Sequence, residues 1–87
     1  MPRVYVPAEL RDQCGGRTDL QLSGNTVREL IAAWEQVCPG VAARLCDQDG
    51  LRSGLAVSVA GQISRKGLRQ VVGEQDEVHF LPAIGGG

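Results

Sequence analysis

Eighty-seven residues with nine Lys+Arg, ten Asp+Glu and a formal net charge of −1 accommodate one small domain and leave no room for a second. Leu, Ile, Val and Phe supply 23 of them, enough to collapse rather than stay disordered, and with Tyr5, Trp34 and Phe80 the only aromatics the core must be aliphatic. So few rings on a near-neutral chain argue against nucleic acid, and no run approaches the roughly 18 apolar residues of a membrane span, so neither is expected as a partner.

The N-terminal MPRVYVP carries one charge and no apolar run of signal-peptide length, which makes a cytoplasmic location the expectation. Residues 3–6 alternate with Val4 and Val6 on one face, and residues 19–22 with Leu20 and Leu22, predicting two half-buried strands of a hairpin. Residues 7–18 between them contain Gly15 and Gly16 and read as a long mobile loop. Thr26-Val27-Arg28-Glu29 is a capping box, in which hydroxyl and carboxylate satisfy the free amides of a helix start. Val27, Leu30, Ile31, Trp34, Val37 and Cys38 then recur at helical spacing, until Pro39 and Gly40 stop the helix. Trp34, on that stripe, reads as core rather than as a ligand platform.

Residues 41–46 fit one more short helical turn, and residues 47–50 carry turn chemistry. Asp47 and Asp49 do not make a calcium loop, because the far-end Glu is missing and Gly50 stands at the wrong offset. Leu55, Val57 and Val59 alternate with Ala56, Ser58 and Ala60, predicting a strand turned by Gly61 and Gln62. In the polar segment that follows, Leu68, Val71 and Val72 are the burial candidates, and Arg65 and Lys66, the only adjacent basic pair, read as a surface turn among scattered basic residues. Residues 73–76 form a turn and residues 77–81 a last strand, with Val78 and Phe80 inward and His79 and Leu81 outward. Pro82, with no amide to donate, is expected to break the ladder. His79, the only histidine, reads as a surface residue without a partner. Cys14, Cys38 and Cys46 are odd in number and match no metal-ligand spacing, so they read as small hydrophobes and no metal is expected.

The order β-β-α-β-β predicts an α+β domain, a mixed sheet over one amphipathic helix with the first and last strands as parallel central neighbours. This is the β-grasp order. The expected division is a domain over residues 1–81 and a flexible glycine tail over residues 82–87. Fully extended, that tail spans roughly 20 Å, and glycine without a Cβ can enter a channel too narrow for other residues. The Gly87 carboxylate is inert as it stands. Adenylation by a partner would make AMP its leaving group, and attack by a persulfide sulfur would then give a thiocarboxylate, a covalently held nucleophile.

The ending Phe80-Leu-Pro-Ala-Ile-Gly-Gly-Gly87, together with Gly24-Asn-Thr-Val, Pro39-Gly-Val and Leu45-Cys-Asp-Gln-Asp-Gly50, resembles the sulfur-carrier family of ubiquitin-like proteins, the MoaD/ThiS type. Residues 39–50 and the Leu-Pro-Ala ending look most like the branch that serves cysteine synthesis rather than molybdopterin or thiamine synthesis. Two departures are Glu74-Gln75-Asp76, where the family has Asp/Glu-Gly-Asp, and the third glycine, Gly85. The resemblance implies that the chain is not an enzyme and binds no cofactor, ATP being used by an adenylating activating enzyme. A persulfide-bearing sulfur donor and a sulfur-accepting synthase are the other implied partners. Gly87 is then the reacting residue, and Gly86, Gly85, Ile84, Ala83, Pro82 and Leu81 contact partners. Recognition is expected on the outward sheet face beside the tail. The alternatives are a ubiquitin-like modifier joined to lysines of other proteins through Gly87, and a non-reacting interaction domain.

Overall fold

The computed structural model describes residues 1–82. Its main sheet has the order β2-β1-β7-β5-β6, from β1 (Arg3–Tyr5), β2 (Asp19–Gln21), β5 (Leu55–Val59), β6 (Gln62–Ile63) and β7 (Glu77–Pro82). β1 and β7 run parallel, Val4 opposite Val78, and every other pairing is antiparallel. Across this sheet lies α1 (Val27–Val37), followed by the short α2 (Val41–Leu45) and a two-stranded hairpin of β3 (Cys46–Asp47) and β4 (Gly50–Leu51). The arrangement is the expected β-grasp.

The core forms where the inward phase of the strands meets the helix stripe. Val4, Leu20, Val57, Val59, Val78 and Phe80 close on Val27, Leu30, Ile31 and Trp34. Trp34 has no exposed surface; its ring meets that of Phe80 at 5.9 Å, tilted by 44°, and its Nε1 donates to Cys14 Sγ at 3.3 Å. The stripe holds through buried Cys38 except at Val37, which is 57% exposed. Likewise Leu68 and Val72 are buried but Val71 is not; an isolated bridge between Val71 and Thr26 orients it outward.

At the start of α1, Thr26 Oγ1 accepts from the Glu29 amide at 3.2 Å, and Glu29 accepts in return from the Asn25 amide at 2.8 Å, so the reciprocal bond reaches one residue further back than in a simple capping box. Gly24 packs so closely on this turn that an added Cβ would lie 3.0 Å from both the Glu29 Cβ and the Leu30 amide nitrogen. At the other end Gly40, at φ +99°, lets the chain reverse into α2. There the Glu35 carboxylate accepts from the amides of Gly40 at 3.0 Å and Ala42 at 2.9 Å. Those two bonds, the Gly40 one foremost, hold its pKa below the usual carboxylate range. A group favoured in its charged form stabilises the fold above its ordinary titration range and loses that contribution as pH falls through its folded value. Glu35→Gln is therefore expected to lower Tm at neutral pH, with the gap to wild type closing below about pH 4; a gap independent of pH in thermal melts would contradict this.

Three further expectations change. Residues 7–18 are not a free loop: Ala8–Leu10 form a 3-10 turn, and Leu10 and Cys14 are buried in the core. The β5–β6 reversal uses Ala60 and Gly61 rather than Gly61 and Gln62, both at positive φ (53° and 82°), the backbone of a two-residue hairpin turn. Pro82 does not break the ladder but ends it, opposite Leu55. The Ala60 amide bonds to Glu77 O, so by alternation the Leu55–Pro82 pair is a non-hydrogen-bonded one. Leu55 spends its own amide on Arg52 O at 3.1 Å. No donor is required of the proline there, and the strand runs one residue past the boundary expected at residue 81.

Candidate functional site

β7 lies third of five strands and ends, in the middle of the sheet, at Leu81 and Pro82. Beside this end is a groove of about 260 Å³ whose walls include Leu10, Leu45, Leu55, Phe80, Leu81 and Pro82, with Glu9 and Arg44 also lining it. Leu81, half-buried, pairs with Ala56. Of the residues expected to contact partners, the structure thus brings Leu81 and Pro82 to one groove; Ala83, Ile84, Gly85, Gly86 and the reacting Gly87 lie outside the described residues, as does the expected flexibility of the tail.

On the outward face, one register row crosses all five strands through Asp19, Tyr5, His79, Ser58 and Ile63. Its centre is a stack of Tyr5 on His79, ring centroids 4.3 Å apart and ring planes nearly parallel at 5°. His79 Nε2 also lies 4.0 Å from a Glu77 carboxylate oxygen. His79 therefore has neighbours that a one-dimensional reading missed, since Tyr5 is brought to it only by the parallel pairing of β1 and β7. Partial burial, followed by the Glu77 carboxylate, pushes the Tyr5 phenol above its ordinary range. Arg3 and Asp19 form an ion pair between β1 and β2, and that bond holds Asp19 below its usual range. Ile63 at the far end of the row is 61% exposed, so this face offers apolar and aromatic surface flanked by charge.

The thiols are Cys14 and Cys38, both buried, and the half-buried Cys46. Burial first, then the neighbouring Cys14, pushes the Cys38 thiol up to about 11, and burial raises Cys46 as well. Against the ordinary thiol value of 9.0, Cys38 should carry about a hundredfold less thiolate at pH 7. Peptide mapping after iodoacetamide treatment of the native protein is expected to find Cys38 unmodified while a free-cysteine peptide in the same tube reacts to completion. Complete labelling of Cys38 would contradict its burial. Among the described residues no three or more His, Cys, Asp or Glu side chains converge, and no helix is long and apolar enough to cross a membrane.

The basic residues are less scattered than the sequence suggests. Arg28, Arg65, Lys66 and Arg69 line one basin, a convergence hidden because Arg28 lies on α1 and the other three on the segment before β7.

The profile of the ThiS family matches residues 4–87. The sulfur carrier protein CysO of Mycobacterium tuberculosis is 30% identical over 89 residues, covering 97% of this chain and 96% of the relative. A crystal structure of Mycobacterium tuberculosis CysO superposes with a TM-score of 0.88 at 28% identity, over 97% of this chain and 100% of the other. A chain in the crystal structure of the Amycolatopsis orientalis BexX/CysO complex gives a TM-score of 0.90 at 32% identity over the whole of both chains. The small archaeal modifier protein 1 of Methanosarcina acetivorans, at 24% identity and a TM-score of 0.77 over 99% and 95% of the two chains, shares the fold. A profile spanning nearly the whole sequence, on a β-grasp domain, shows that the chain belongs to the ThiS family of ubiquitin-like sulfur carriers.

Proposed function

We propose that the protein carries sulfur on Gly87. A partner enzyme of the ubiquitin-activating type adenylates the Gly87 carboxylate with ATP, a persulfide-bearing protein delivers sulfur, and the resulting thiocarboxylate supplies a biosynthetic synthase. The position of β7 carries this reading: the central strand ends at Pro82 beside an apolar groove, five residues before Gly87 in the sequence. The family match running to residue 87, and relatives named sulfur carrier proteins, support it.

In this scheme the carboxylate displaces pyrophosphate from ATP to form an acyl adenylate. The terminal persulfide sulfur attacks the carbonyl carbon, AMP leaves, and an acyl disulfide remains. A second thiol takes the donor's sulfur as a disulfide and frees the thiocarboxylate. None of these steps needs a catalytic group on the carrier, whose part is to be recognised. The groove at Pro82 and the Tyr5–His79 face are the surfaces for that recognition, and the use of ATP and persulfide puts the reaction in the cytoplasm. The likeness to CysO favours a synthase of the cysteine branch as the sulfur acceptor.

The test is ATP–pyrophosphate exchange with an activating enzyme shown to bind the chain. Exchange that depends on the chain is expected; its absence would overturn the reading. If exchange is instead followed by a ladder of higher-mass conjugates that vanishes on deleting Gly86 and Gly87, the protein is a modifier.

A further inference from the structure

Four of the nine Lys+Arg residues, Arg28, Arg65, Lys66 and Arg69, surround one basin of about 440 Å³. All four are exposed, and among the described residues none takes part in an ion pair. Asp49 is the one carboxylate on the wall. On a chain of net charge −1 this is a local concentration of uncompensated positive charge, which costs stability through self-repulsion and is kept where a partner of opposite charge is to be met.

The cluster is built into the fold. The Val27 amide bonds to Gln70 O at 2.9 Å and the Val72 amide to Asn25 O at 2.8 Å, which fixes the start of α1, with Arg28, against the segment holding Arg69. Ser64 Oγ donates to Gln70 Oε1 at 2.7 Å and accepts from the Lys66 amide at 3.0 Å, which sets the backbone of Arg65 and Lys66. Beneath the charges lie half-buried Leu51 and Leu55 and buried Leu68.

We propose that this basin docks an acidic segment of a partner protein that also carries an apolar anchor side chain, carboxylates meeting the four cations and the anchor covering Leu51, Leu55 and Leu68. Charge complementarity selects the acid, and the leucine floor selects a peptide. A polyphosphate has nothing to place on that floor, and a nucleic acid would call for stacking rings, none of which lines the basin. Leu55 lines both this basin and the groove at Pro82, its partner in the sheet. The groove and the basin therefore share a wall at Leu55, and a protein seated in the groove reaches the basin over continuous surface. That the partner is one of the sulfur-transfer enzymes rests on the sulfur-carrier reading; the recognition of an acidic, leucine-bearing segment does not.

The test titrates a synthetic peptide of glutamates around one central leucine into isotope-labelled full-length protein, followed by NMR. Amide shifts are expected at Arg28, residues 49–57 and residues 64–69, with binding weakened about tenfold by high salt and about tenfold by replacing the peptide's leucine with serine. The variant Arg65→Glu/Lys66→Glu, with both changes on exposed side chains and its melting checked first, should abolish the shifts. Absence of shifts in the basin, or shifts unchanged in that variant, would overturn the proposal. So would inorganic triphosphate binding as tightly as the peptide with the leucine making no difference, which would mark a phosphate site. No ATP, sulfur or activating enzyme enters this titration, so its failure and failure of the sulfur-carrier reading are separate results.

Discussion

Trp34→Ala is expected to destabilise the domain by about 3–5 kcal/mol, the range for emptying a buried large aromatic site. Domains of this size are held by only about 5–15 kcal/mol in total, so Tm should fall by roughly 15–30 °C. Trp34 has no exposed surface, touches Phe80 on β7, and bonds Cys14 in the segment between β1 and β2. Its removal therefore loosens three parts of the fold together: the helix, the central strand and the tethered loop. Trp34→Phe keeps most of the volume and loses the bond to Cys14, and should cost less than half as much. A thermal melt by circular dichroism separates the cases; a Tm for Trp34→Ala within a few degrees of wild type would mean that the helix does not hold β7 in this way.

Appending one residue after Gly87 is expected to reduce thiocarboxylate formation at least about a hundredfold, the scale of loss when a reacting group is displaced from its catalytic geometry by ångströms. The appended residue moves the terminal carboxylate one full residue, about 3.5 Å, beyond its position. Folding should be unaffected, since among the described residues every member of the core cluster lies between Val4 and Phe80. Unchanged Tm with lost transfer is thus the expected pair of results, the reverse of that for Trp34→Ala. An extended chain that still accepts sulfur would show that the reacting atom is elsewhere.

The fold was legible in the sequence wherever local chemistry and burial agreed. The capping box at Thr26, the stripe through Trp34 and the alternation of Val78 and Phe80 each state a local structure that packing then reinforces. The Glu74-Gln75-Asp76 departure proves harmless for a local reason: Gln75 has no positive φ, and Asp76 closes the turn by accepting from the Gly73 amide at 2.7 Å. What stayed hidden was decided by long-range pairing. Pro82 belongs to the ladder because of a register parity set near Ala60 and Glu77; the Tyr5–His79 stack exists because two distant strands run parallel; and the basin needs α1 and the segment before β7 side by side. Of the candidate site, Leu81 and Pro82 line one groove at the end of β7, and residues 83–87 lie outside the described residues.

The measurement that bears most directly on the account is the intact mass of the protein after incubation with ATP, an activating enzyme that binds it, a persulfide donor and a thiol. The account predicts a gain equal to replacing one oxygen by sulfur, located by fragmentation at Gly87 and absent without ATP. An unchanged mass under conditions where the adenylate demonstrably forms, or sulfur located at Cys14, Cys38 or Cys46, would contradict it.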